Sequence, residues 1–163
     1  MNNRPMANGN RKPPTTILTE EQINELHKDI KSINADISKF VFNDIDASGT
    51  SYDDINDSIS VKGNVLPDLE SGSVHPRDLM SSRAVLAHEY YGHRANKVIY
   101  LPPSSWEDEY RASIDAAKNT PNLSDEDRKY LVLDAFERKE KAGIPLNEED
   151  IKLRKKYVYG YDN

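Results

Sequence analysis

His88 and His93, in the stretch AVLAHEYYGHRANK at residues 84–97, stand five positions apart with Glu89 between them, and that spacing limits what the surrounding chain can be. On a regular α-helix each residue turns by about 100°, so side chains four apart differ by about 40° and converge, whereas side chains five apart differ by about 140° and diverge. The stretch is otherwise helical in pattern, with Ser81 or Ser82 placed to cap it. The two imidazoles can therefore meet only if the helix absorbs one extra residue as a π-bulge, a local widening that tends to occur at functional sites. Gly92 adjoins the second histidine, where a residue without Cβ best tolerates an irregular backbone.

Two converging histidines beside a glutamate are the beginning of a metal site. The chain has 163 residues and no cysteine, so any metal must be held by His, Asp or Glu, and neither thiolate ligation nor a disulfide framework is available. HEYYGH resembles the HExxGH motif of dipeptidyl peptidase III and related zinc peptidases, in which the two histidines bind zinc and the intervening glutamate acts on water. Those enzymes carry a second motif, EExRA, whose second glutamate is the third ligand. DEYRA, residues 108–112, stands in its place here, so the resemblance puts the third ligand on Glu109, with Glu107 its nearest rival. Asp108 departs from the motif's first glutamate. About 25 residues carry this resemblance. In size the chain is closer to the zincin-like metallopeptidase domains at the C-termini of bacterial polymorphic toxins, which HPRDLMSSRAVLAHEYYGHR followed by DEYRA resembles. That resemblance implies a domain secreted or delivered into a target cell, acting in its cytoplasm, with an immunity protein protecting the producer.

The chemistry can be argued from the side chains as well. Two neutral imidazoles and one carboxylate leave a fourth position on zinc for water. Zinc brings the pKa of that water towards about 7, and Glu89, which projects away from His88, is suited to take its proton and pass it to the leaving amine. Asp108 can accept a hydrogen bond from a ligand imidazole and fix its tautomer. Arg111 either pairs with a nearby carboxylate or holds a substrate carbonyl. His75 precedes Pro76, which favours an extended or turn backbone, and is a candidate to stabilise an oxyanion. Tyr157, Tyr159 and Tyr161 are further candidates for that role, with nothing to select one. Tyr90, Tyr91 and His27 are expected to pack rather than react. The acidic stretch from Asp44 fails as a calcium loop, because its twelfth position is Ile55 rather than a bidentate glutamate.

The remaining chain frames this site. Residues 1–16 are rich in Asn, Pro, Gly and basic side chains and are expected to form a tail or linker, leaving residues 17–163 as one zincin-like domain. No signal-peptide core or membrane-length apolar run occurs, and a net charge of −6 argues against a nucleic-acid partner. Thr19 and Gln22 predict a capped helix running to about Phe40, SISVKGNVLPDL a β-hairpin turning at residues 62–64, and LPPSS a break between helices. Helices are expected after Ser105, over residues 124–143 with a stop at Gly143, and after Asn147. The expected fold is mainly α with a small β-hairpin or sheet. The expected function is peptide-bond hydrolysis by metal-activated water, acting on a protein or peptide substrate. The alternatives are a zinc hydrolase of another amide and a non-catalytic, metal-stabilised binding module, which would have no need of Glu89 as a base.

Overall fold

The computed structural model describes residues 11–96, 102 and 105–160. Residues 1–10 of the expected tail, most of the LPPSS break and Tyr161 lie outside them. Helix α1 (Glu20–Ser32) begins with the expected capping box, in which the Thr19 hydroxyl accepts from Gln22 N–H and the Gln22 side chain accepts from Thr19 N–H. Leu26, Ile30 and Ile33 are buried along one side. The helix stops eight residues short of the expected end. Asn34 adopts a left-handed conformation (φ 58°), which turns the chain so that Phe40 enters a strand instead.

Strands β1 (Phe40–Phe42), β2 (Ser51–Asp53) and β3 (Ser58–Val61) form one sheet in the order β1-β3-β2. β1 runs parallel to β3, with Phe40 opposite Ile59, and β2 runs antiparallel to it, with Tyr52 opposite Ile59. The hairpin is therefore β2 with β3, upstream of the position expected from SISVKGNVLPDL. Asp57 (φ 50°) supports its tight turn, and the Asp57 carboxylate accepts from Tyr52, Arg94 and Lys39. Residues 63–65 do not turn into a return strand. They wind into a 3-10 turn in which the Asn64 side chain accepts from both the backbone and the hydroxyl of Thr50.

The rest of the described chain is helical: α2 (Pro76–Leu79), α3 (Ser82–Ala87), α4 (Trp106–Asn119), α5 (Asp125–Lys141) and α6 (Glu148–Leu153). Serines at 81, 105 and 124 and Asn147 cap α3, α4, α5 and α6 through side-chain acceptors, each satisfying an orphan backbone N–H. Gly143, with φ 75°, follows the end of α5 as expected. The core joins Leu26 and Ile30 of α1 to Ile59 and Val61 of β3, Leu86 of α3, Ala116 of α4 and Leu131 and Val132 of α5. No described helix is long and apolar enough to cross a membrane.

Residues 11–16 belong to this domain, which moves the expected boundary after residue 16 towards the N-terminus. Arg11 is fully buried, and its guanidinium donates to the carbonyls of Asn64 (2.7 Å), Val65 (2.7 Å), Arg77 (2.8 Å) and Met80 (3.0 Å). A Cβ on Gly63 would lie 2.4 Å from Pro13 O, so the segment and the 3-10 turn touch along their backbones. Low apolar content misleads here because the anchorage is polar and rests largely on one side chain. Arg11→Ala should lower unfolding stability by about 2–4 kcal/mol, because it removes charge-assisted hydrogen bonds and strands buried carbonyls. Chemical denaturation would read this, and an unchanged midpoint would return residues 11–16 to a dispensable tail.

Candidate metal centre

Helix α3 passes directly into a π-helical segment, His88–His93, so the extra residue inferred from the motif spacing is absorbed over the whole of HEYYGH. The wider turn closes with Arg94 N–H donating to Glu89 O, five residues back. It brings His88 Nε2 within 3.1 Å of His93 Nε2, with the rings nearly perpendicular. Gly92 has a different purpose from the one expected. A Cβ there would lie 2.4 Å from Ala112 O and 2.8 Å from Ala112 C, so its lack of a side chain lets the π segment lie against the α4 backbone.

That approach delivers the third donor. Glu109, buried in the first turn of α4, sets Oε1 3.1 Å from His88 Nε2 and Oε2 3.4 Å from His93 Nε2. Among the described residues, His88, His93 and Glu109 form a buried group that could bind a metal ion, each offering one ligand atom within 4.8 Å of the others. Asp108 Oδ2 lies 3.5 Å from His93 Nδ1, in the supporting position expected for it. His88 Nδ1 contacts Ser113 Oγ at 2.9 Å, and Ser113 in turn donates to Asp134 Oδ2 at 2.8 Å. Arg138 lies 3.3 Å from Asp134 and 3.6 Å from Glu109, and Arg77 lies 3.7 Å from Asp134.

The charges suit a cation. Burial disfavours ionisation of Glu109, yet the neighbouring His88 and His93 rings outweigh it and hold the carboxyl well below its ordinary pKa. Burial likewise opposes a charge on His93, but Asp108 and Glu109 prevail and raise its pKa well above 6.5. Asp108, Glu109 and Glu89 all place negative charge beside His93, and a divalent ion would offset that charge.

Glu89 is buried and lines a narrow pocket with His88, Glu109, Asp134 and Arg138. Other expected participants are elsewhere. Arg111 and Glu107 are exposed and line a separate pocket with Trp106 and Tyr110, which removes Glu107 as a rival ligand and Arg111 as a side chain of this centre. His75 is exposed, pairs with Glu137 at 2.9 Å and does not line the site pocket, so the oxyanion role is not supported for it. Tyr157 packs against the core and Tyr159 is exposed, neither lining the pocket. Tyr91 donates to Ile33 O and Tyr90 stacks on Phe40, both in packing roles. Ser113, Asp134, Arg77 and Arg138 were not singled out from sequence. For Ser113 a signal existed, since it follows Glu109 by four residues on one helix face.

The chain matches no family model, no curated protein and no solved structure.

Alanine at His88, His93 or Glu109 should each remove most bound metal, because three protein ligands leave little redundancy, whereas Glu107→Ala should keep it. Metal analysis of the purified variants checks this, and full occupancy in Glu109→Ala would move the third ligand. Gly92→Ala should destabilise the protein by about 1–3 kcal/mol through overpacking and weaken metal binding as the π segment is pushed from α4. Thermal unfolding with and without chelator would read both effects.

Proposed function

We propose that the protein is a zinc-dependent peptidase with a zincin-like centre, of the kind carried by bacterial polymorphic toxins. The observation that carries this reading is the buried carboxylate of Glu89 in the pocket that also holds His88 and Glu109. A buried carboxylate is costly to desolvate, and one that lies beside the ligands without being one of them is where general-base catalysis needs it. The donor spacing accommodates zinc. Bonds of about 2.0–2.1 Å in a tetrahedron separate ligand atoms by about 3.3 Å. The two ring nitrogens lie 3.1 Å apart, and one donor atom from each of His88, His93 and Glu109 lies within 4.8 Å of the others.

Zinc held there would supply Lewis acidity, polarising a carbonyl and lowering the pKa of a water. The chain's own residues do the rest. His88, His93 and Glu109 hold the ion, and Asp108 and Ser113 steady the two rings. Glu89 accepts the proton of the attacking water at its carboxylate and returns it to the leaving amine. Arg138 offsets the charge of Glu109 and Asp134. The substrate is a protein or peptide. In the toxin setting the domain is delivered into a target cell, works in its cytoplasm and is countered by an immunity protein. A zinc hydrolase of another amide would use the same groups, and substrate profiling separates the two.

Glu89→Gln keeps the side chain's size and removes the base, so hydrolysis should fall by roughly 10²–10⁴-fold with zinc content and thermal unfolding unchanged. Expression in a bacterial cytoplasm should impair growth, and the same substitution should relieve it. Equal toxicity of the two proteins would favour a metal-stabilised binding module instead.

A further inference from the structure

We infer that Ser113 is a positioning residue that connects the buried Asp134 to His88, placing the ring's hydrogen on Nδ1 so that Nε2 is presented to the metal. This rests on the reading of His88, His93 and Glu109 as a metal centre and goes beyond it by assigning what orients His88. A serine hydroxyl has one hydrogen to give and can accept through its oxygen. Ser113 Oγ has two close partners, His88 Nδ1 at 2.9 Å and Asp134 Oδ2 at 2.8 Å. The direction of the chain of bonds follows from which of them can only accept.

Asp134 is that partner. It lies in the middle of α5 with no exposure; Arg138 Nε donates to Oδ1 at 3.3 Å and to Oδ2 at 3.4 Å, and Arg77 Nε lies 3.7 Å from Oδ1. Two guanidiniums keep the carboxyl ionised, and an ionised carboxylate only accepts. The Ser113 hydrogen therefore points to Asp134, the Ser113 lone pair faces His88, and His88 must donate from Nδ1. A ligand imidazole usually has its second nitrogen tied to a carboxylate or carbonyl. Here His93 faces its acid, Asp108, at 3.5 Å, while His88 reaches its acid through an intervening hydroxyl. Glu109 and Ser113 are one turn apart on α4, so a single helix face supplies both a metal ligand and the group that aims another ligand.

Asp134→Asn makes a directional test possible. Both guanidiniums face the Oδ1 position and Arg138 alone faces Oδ2, so the amide oxygen would be drawn to the Oδ1 position, leaving the NH₂ to face Ser113. The hydroxyl would then be an acceptor from Asn and a donor to Nδ1, which moves the ring hydrogen to Nε2, against metal binding.

Zinc affinity, measured by chelator competition on the full chain, would be compared for the wild type, Ser113→Ala, Ser113→Thr, Asp134→Asn and the Ser113→Ala/Asp134→Asn double variant, with thermal unfolding of each metal-free protein. Ser113→Ala should bind about 10–100-fold more weakly, and Ser113→Thr, which keeps the hydroxyl, should stay close to wild type. Asp134→Asn should weaken binding at least as much as Ser113→Ala, yet cost less than about twofold once Ser113 is already Ala. Should Asp134→Asn fail to fold, the contrast between Ala and Thr at position 113 still decides. Affinity within twofold of wild type for Ser113→Ala, or an equal cost of Asp134→Asn in both backgrounds, would overturn the connection. Because the readout is metal affinity, a protein that binds zinc in this pattern but cleaves no peptide would defeat the peptidase reading alone.

Discussion

The approach of the π segment to the α4 backbone at Gly92 and Ala112 governs the centre. The histidines lie on one of these elements and Glu109, Asp108 and Ser113 on the other, so the distance between the two backbones decides whether donors from separate segments meet. With any side chain at position 92 that distance must grow. The π turn solves the angular part of the problem by aiming two rings at one point, and the glycine contact solves the radial part by bringing the carboxylate to that point.

Once assembled, the centre is a set of buried charges that are costly separately and tolerable together. Removing a carboxylate from water disfavours its ionised form, and only close opposite charges or donors reverse that. Asp134 shows the balance: burial pushes its pKa up, while Arg138 and Arg77 pull it below the ordinary value. Arg138 is raised by the matching attraction to Asp134 and Glu109, against the cost of its own burial. Two guanidiniums from α2 and α5 thus hold the acids of α4 and α5 in place before any ion is bound. His88, His93 and Glu109 thereby keep one donor atom each within 4.8 Å of the others, the preorganisation that a metal site requires.

The parts of this arrangement that could be read from the chain were those with local periodicity or fixed spacing. HEYYGH implied a widened helix because its two histidines cannot otherwise converge, and DEYRA placed a carboxylate one short connection away through a family resemblance. Caps at Thr19, Ser105 and Asn147 were legible because each acts within three residues. What escaped was set by contacts across long separations. Asp134 looks like one more polar residue in a charged helix until α2 and α4 close around it. The hairpin was misplaced because Lys62, Gly63 and Asn64 have turn-like composition, while the backbone of Lys62 is bonded to the Thr50 hydroxyl and the carbonyl of Asn64 to Arg11. Arg11 itself lies in a stretch whose composition suggests disorder, and Arg111, two residues from Glu109, projects into a different pocket because α4 has two functional-looking faces.

The Arg11 contact also has a temporal meaning. Its four acceptors belong to residues 64–80, so a chain that emerges from its N-terminal end exposes this cation well before anything exists to receive it. The strap along residues 11–16 cannot seat until the 3-10 turn and the end of α2 are present, and it then closes over backbone that borders the pocket through Arg77 and Met80. An early stretch of sequence is in this way among the late pieces of the architecture, and anything that pulled on it would meet resistance next to the centre rather than at a remote surface.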